Sequence, residues 1–204
     1  MSTNDKCQAK QPRAWQRMLS GRRLDLLDPS PLDVEIEDIA LGLSRVARWN
    51  GQTTGDWPFS VADHSLYVEH IFGLLRPRAS SAERLVALLH DSPEYVIGDL
   101  ISPFKAVIGG AYKSLENRML AAIHRRFGLP TEPTRVTMRS IKRADKISAY
   151  REAVSLAGFT EEQAGQIFGR PKNPAIGAVV PTARSPEAAR AAFLQRFHIL
   201  IDAK

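Results

Sequence analysis

The sequence predicts an all-α fold in a single domain, and three observations carry that prediction. Apolar residues recur at three- and four-residue spacing through successive segments, the repeat of one helix face. Alternating strand patterns are nearly absent, and Val179-Val180 is too short to carry a sheet. The length of 204 residues suits one domain, and 44% hydrophobic with 25% charged residues is ordinary for a chain with a buried core. That composition excludes a mainly disordered chain, and no apolar run approaches the ~18 residues that span a bilayer.

Each element follows from local signals. The polar start, through Gln11-Pro12, reads as a flexible tail, with residues 1–14 set apart from a domain over residues 15–204. Trp15, Met18 and Leu19 are spaced for a short amphipathic turn that Gly21 ends, and Asp28-Pro29-Ser30-Pro31 is a stiff turn. Residues 35–47 read as a helix with Ile36, Ile39, Ala40 and Leu43 on one stripe, and Asn50-Gly51 with Gly55 marks a loop. A second helix starts near Ala62 and puts His64, Val68, Ile71 and Leu75 on one face until Arg76-Pro77 stops it. Ser80 and Glu83 fit a capping box ahead of the apolar run 85–89, which leads into His90-Asp91. Ser92 can cap a short helix with Pro93 at its first position. Residues 112–127 carry Leu115, Met119, Ile123 and Phe127 on one stripe, with Gly128 and Pro130 as the stop. Residues 134–156 form a further helix followed by Gly158, residues 168–181 read as irregular, and Ser185-Pro186-Glu187 opens a last helix through Ile201.

The net charge of +6 favours an anionic partner. The basic residues fall in short clusters, Arg22-Arg23, Arg125-Arg126 and Lys142-Arg143, which suits a small phosphate-bearing ligand at least as well as a nucleic-acid groove, with a solvated surface as the plain alternative; a nucleic-acid partner is not expected, nor is a membrane. The lone cysteine, Cys7, can form neither an internal disulfide nor a thiolate metal cluster, and the start of the chain has no apolar signal region. A cytoplasmic location is the expectation.

Four polar residues stand where apolar ones are expected. His64 and Asp145 lie on apolar stripes, and His90-Asp91 ends an apolar run. A carboxylate facing a core needs a metal, a cation or several N–H donors. Two imidazoles and two carboxylates from three helices suit Mn²⁺, Fe²⁺, Co²⁺, Ni²⁺ or Zn²⁺ and leave open positions on a six-coordinate ion. Lys142, Arg143 and Lys146 read as a solvated face. His70, His124 and His198 do not fit a second metal, so one ion is expected.

The order His64…His90-Asp91…Asp145 resembles the H…HD…D signature of the HD-domain metal-dependent phosphohydrolases. The stretch HDSPEYVIGDLISPFK, from His90 to Lys105, resembles the HD-x-x-E-x-x-x-G-D-L pattern of the YfbR-like 5′-deoxynucleotidase branch. Val61-Ala62-Asp63-His64-Ser65 resembles that branch's segment around its first metal histidine, and the resemblance covers about residues 36–152. It implies a single HD-domain helical bundle, with His64, His90, Asp91 and Asp145 as ligands of one divalent transition ion. It further implies that Glu94 positions or deprotonates the attacking water and that Asp99 helps the same water or protonates the leaving oxygen. Arg48-Trp49 is similar to an Arg-Trp pair in which the arginine grips phosphate and the aromatic lies against the sugar. The loop 50–54 departs from that pattern. Lys105 is a further phosphate candidate.

The implied activity is a phosphomonoesterase acting on nucleoside 5′-monophosphates, deoxy forms included, with a homodimer as the assembly that relatives suggest. Two alternatives stand beside it. The same fold could cleave another nucleotide, such as a triphosphate, an alarmone or a phosphodiester. A metal-containing nucleotide-binding module with little turnover is the other.

Overall fold

The computed structural model describes residues 13–172, 176 and 180–204. The fold is all-α with one small antiparallel hairpin, β1 Trp15–Arg17 with β2 Arg23–Asp25. The helices are α1 Ile36–Leu43, α2 Val61–Leu75, α3 Ser81–Leu88, α4 Glu94–Ile97, α5 Ser102–Ile108, α6 Gly110–Arg126, α7 Arg135–Ser155, α8 Glu161–Phe168 and α9 Pro186–Asp202. No described helix is long and apolar enough to cross a membrane. Residues 1–12 of the expected tail, Cys7 among them, lie outside the described residues, as do 173–175 and 177–179.

Helix α2 is the hub, because it is apolar on more than one face. Val61, Ala62, Val68, Ile71 and Phe72 are fully buried, and α3, α7 and α9 pack around them. Ser60 caps α2, accepting from Asp63 N at 3.1 Å. The Ser80–Glu83 capping box opens α3, and Thr134 and Ser185 cap α7 and α9. Buried Glu69 ties α9 and α3 to α2 through Arg196 at 2.8 Å and Arg84 at 2.6 Å. Gly73 makes that possible, since a Cβ there would lie 2.6 Å from the Arg84 guanidinium. Gly42 does the same for α1 and α4, where a Cβ would meet Tyr95 Cβ at 2.7 Å.

Several local expectations are corrected. Residues 15–19 do not form a helical turn. Gly21, at φ 99°, closes a hairpin instead, which buries Leu24 and leaves Leu19 exposed. Helix α1 ends at Leu43 rather than Ala47, because Ala47 is extended and bridges Ser60. Ser92 does not cap α4: its hydroxyl donates to Leu89 O at 2.5 Å, and Pro93 occupies the cap position. Helices α5 and α8 were not anticipated, although Thr160 and Gln163 form a full capping box at the start of α8.

Candidate metal centre

Three elements converge at the C-terminal end of α3. Helix α2 contributes His64 from its first turns, the α3–α4 junction contributes His90 and Asp91, and α7 contributes Asp145 from its middle. Ligand atoms of His64, His90 and Asp145 all lie within 4.8 Å of one another, so this cluster could hold a metal ion. Asp91 joins them, with Oδ2 3.4 Å from His64 Nε2 and 3.2 Å from His90 Nε2. Asp145 Oδ1 is also 3.4 Å from His64 Nε2.

The tautomers of both histidines follow from their partners. His64 Nδ1 is 2.6 Å from Glu152 Oε1, and His90 Nδ1 is 2.9 Å from the carbonyl of Ala87. Each Nδ1 therefore donates. In the neutral ring that leaves Nε2 as a lone pair, and both Nε2 atoms are buried with no hydrogen-bond partner. With both rings neutral, two Nε2 lone pairs set among carboxylate oxygens fit a cation.

The charges point the same way. Asp91, Glu94, Asp99, Asp145 and Glu152 face two fixed cations, Arg48 and Lys105. Without an ion, His64 carries part of the compensation. Burial and Arg48 oppose its charge, yet Glu152, Asp145 and Asp91 outweigh them and hold its pKa well above the usual range. Asp91 is raised by burial, but His90 and His64 pull it well below the ordinary carboxylate value.

Glu94, in the first turn of α4, behaves oppositely. Burial first, then the charges of Asp91 and Asp99, push its pKa up to about 8. Its Oε1 accepts from Lys105 Nζ at 3.0 Å, and its Oε2 is buried without a partner. The Lys105 ammonium is thus held by Glu94, with Glu116 at 3.8 Å.

Arg48 and Trp49 belong to the same assembly. Arg48 Nη1 lies 3.5 Å from Asp99 and 4.0 Å from Asp91, while Nη2 is 3.3 Å from Glu152. Trp49 donates its indole N–H to Glu152 Oε2 at 2.9 Å and packs on Phe159 and Phe168 at 5.7 and 5.8 Å between ring centroids. Trp49 and Asn50 have φ of 56° and 52°, left-handed values that a tryptophan rarely adopts. The bond to Glu152 and the aromatic packing hold that backbone in place.

Two residues absent from the sequence reading complete the centre. Glu152 is fully buried, and Ser148 donates to its Oε1 at 2.6 Å. Both follow Asp145 on one face of α7, at three and seven residues, and that helical spacing was the available signal. On a neighbouring stripe of the same helix, the face read as solvated lines a cleft of about 510 Å³. Arg139, Lys142, Arg143 and Lys146 border it together with Arg170 and Lys172, and none of the six has an ion-pair partner among the described residues. His70 and His198 are exposed, and neither they nor His124 join the ligand cluster.

The chain is similar to an uncharacterized protein of Rhodobacter capsulatus, 56% identical over 189 residues that span 93% of this chain and 96% of that protein. No family model matches the chain.

Proposed function

The chain belongs to the family of that Rhodobacter capsulatus protein, and we propose that its members are HD-domain metal-dependent phosphohydrolases that remove phosphate from nucleoside 5′-monophosphates. The observation that carries this reading is the convergence of two imidazole Nε2 atoms, of His64 and His90, with the carboxylates of Asp91 and Asp145. Each Nδ1 is held by its own partner, so Nε2 is the nitrogen each ring turns toward the carboxylates, a donor set that suits a divalent cation.

His64, His90, Asp91 and Asp145 would hold one divalent transition ion: Mn, Co, Fe, Ni or Zn. When bound, such an ion supplies Lewis-acid polarisation and lowers the pKa of a water. The protein's own groups do the rest. Arg48 offers its planar donors to a phosphate beside Asp91 and Asp99. Glu94, in its ionised form, takes a proton from the attacking water as the new P–O bond forms. The ester P–O bond breaks, and that proton passes to the leaving oxygen, from Glu94 or by way of Asp99. Lys105 fixes the Glu94 carboxyl rather than gripping phosphate directly. Trp49 buttresses the arm that carries Arg48, beside the space for a sugar.

A second reading keeps the chemistry and changes the substrate. The six cations bordering the cleft beside α7, none with an ion-pair partner among the described residues, favour a nucleotide with more than one phosphate. A binding module with little turnover is disfavoured by the presence of both Glu94 and Asp99.

Metal analysis together with phosphate release from a nucleotide panel in Mn²⁺ and Co²⁺ tests the proposal. One ion per chain and release from monophosphates are expected. His90→Ala and Asp145→Ala should lose the ion, and near-full occupancy in both would remove the assignment. Release from triphosphates alone would favour the second reading.

A further inference from the structure

We propose that the cleft formed by α7 and the stretch after α8 is a binding site in its own right, for a chain of three or more phosphates, separate from the metal centre. The cleft has a volume of about 510 Å³, within the range of small-molecule sites. Arg139, Lys142, Arg143 and Lys146 of α7 border it, and Arg170 and Lys172 join them from beyond α8. All six side chains are exposed, so a ligand in the cleft reaches them. In the same lining Ile147 and Ile176 are buried and Phe168 is half-buried. Low-dielectric walls of that kind focus the field of the cations beside them.

The charge of this cleft is uncompensated. Arg22, Arg84, Arg126, Arg184 and Arg196 are each paired with a carboxylate, whereas none of the six has an ion-pair partner among the described residues. The sequence around them supplies none, since residues 133–144 and 163–186 contain no Asp or Glu, and Asp145 is turned to His64. On α7 the four cations follow one another at three- and four-residue spacing, so like charges are neighbours on one helix face, which opposes helix stability. An anion in the cleft reverses the sign of that contribution. Arg170 is also held in place, because its stem lies against Gly165, where a Cβ would be 3.0 Å from Arg170 Cγ. A single phosphate pairs with one or two of these groups. The four on α7 alone extend about 10 Å along the helix, so a linear chain of phosphates engages them together. Such a chain comes from a nucleoside triphosphate or from inorganic polyphosphate.

This stripe of α7 is not the one that presents Asp145, Ser148 and Glu152 to the metal centre, so the inference goes beyond the nucleotidase reading and does not rest on it. The test is calorimetric titration of the full chain in chelator-treated buffer of fixed ionic strength, with tripolyphosphate, ATP and orthophosphate as probes. Tripolyphosphate should bind once per chain, at least about tenfold more tightly than orthophosphate, the scale of one further charge-assisted contact. Arg139→Ala with Arg143→Ala should weaken it by at least about tenfold, and both side chains are exposed, so the fold is kept. Arg118→Ala with Arg125→Ala removes the same charge from exposed positions of α6 outside the cleft and should change affinity by no more than about twofold, because salt screens distant charges. His90→Ala should leave binding intact. Tighter binding of ATP than of tripolyphosphate would assign a nucleotide as the source of the chain, and equal binding the phosphate chain alone. Absence of tripolyphosphate binding, equal affinity for orthophosphate, equal losses in the two arginine double variants, or loss of binding in His90→Ala would each overturn the proposal. Phosphate release in Mn²⁺ tests the phosphohydrolase reading by itself, so the two can fail separately.

Discussion

Glu152 Oε1 lies 2.6 Å from Nδ1 of His64, while Oε2 of the same carboxylate accepts the indole N–H of Trp49 at 2.9 Å and the guanidinium of Arg48 at 3.3 Å. One buried side chain therefore sets the tautomer of a metal-cluster histidine and anchors the arm that carries the phosphate candidate. The Coulomb attraction of Arg48 and His64 overcomes the penalty of burial and holds Glu152 far below the usual carboxylate range.

Glu152→Gln keeps the size and removes the charge. Loss of an outer partner of a metal-binding histidine typically lowers metal affinity by about 10–100-fold. Competition with a chromogenic chelator should show that loss, together with a raised KM from the loosened Arg48. Wild-type metal affinity in this variant would mean that Glu152 serves folding only.

Glu94→Gln should retain the ion and lose about 10²–10⁴-fold in turnover, the usual scale of a general acid–base group. Because an ionised Glu94 is unfavourable in its buried position, the same change should raise the thermal midpoint of the metal-free protein above pH 8. Unchanged turnover would reduce Glu94 to a residue of the first helical turn.

The pH dependence of stability has a defined sign in the metal-free protein. The pKa values of His64 and Glu94 are both raised on folding, so each favours its protonated form in the folded state. Their stabilisation is fully present below the unfolded values, about 6.5 for His and 4.3 for Glu, and is lost as pH rises through the folded ones. The melting temperature should therefore fall from pH 6.5 towards pH 9. Bound metal holds His64 deprotonated, so saturating Mn²⁺ should flatten that fall. A metal-free profile that rises across this window would contradict the assigned environment of both groups.

Gly42→Ala tests the seat of Glu94 from behind. The new methyl would press on the Tyr95 backbone of α4, with the carbonyl oxygen 2.8 Å away. Overpacking of this kind costs about 1–3 kcal/mol. At roughly 2–4 °C per kcal/mol for a chain of this size, calorimetry resolves the loss. Turnover should fall as well, since Glu94 precedes Tyr95 on the displaced turn.

The cationic cleft separates the two substrate readings. Replacing Arg139 and Arg143 together by Ala should raise KM for a triphosphate several-fold more than KM for a monophosphate if further phosphates lie along α7. Equal effects on the two substrates would confine the cleft to general attraction of anions.

Much of this protein was determined by its sequence alone, and for a local reason. Helix class, the Ser80–Glu83 box, the Ser185 cap and the stop at Gly128 depend on residues within one or two turns of each other, and all are present. His64, His90 and Asp145 were legible because each breaks an apolar stripe, and the structure brings their ligand atoms together. The partners of these residues were not legible. Glu152 meets His64 across 88 positions and Arg48 across 104, so only the packing of α7 on α2 gives it a role. The same holds for Lys105, whose ammonium is committed to Glu94. Short-range hydrogen bonding and periodicity are written into neighbouring residues. Which buried charge faces which imidazole is decided when distant helices exclude water together, and that decision belongs to the tertiary structure.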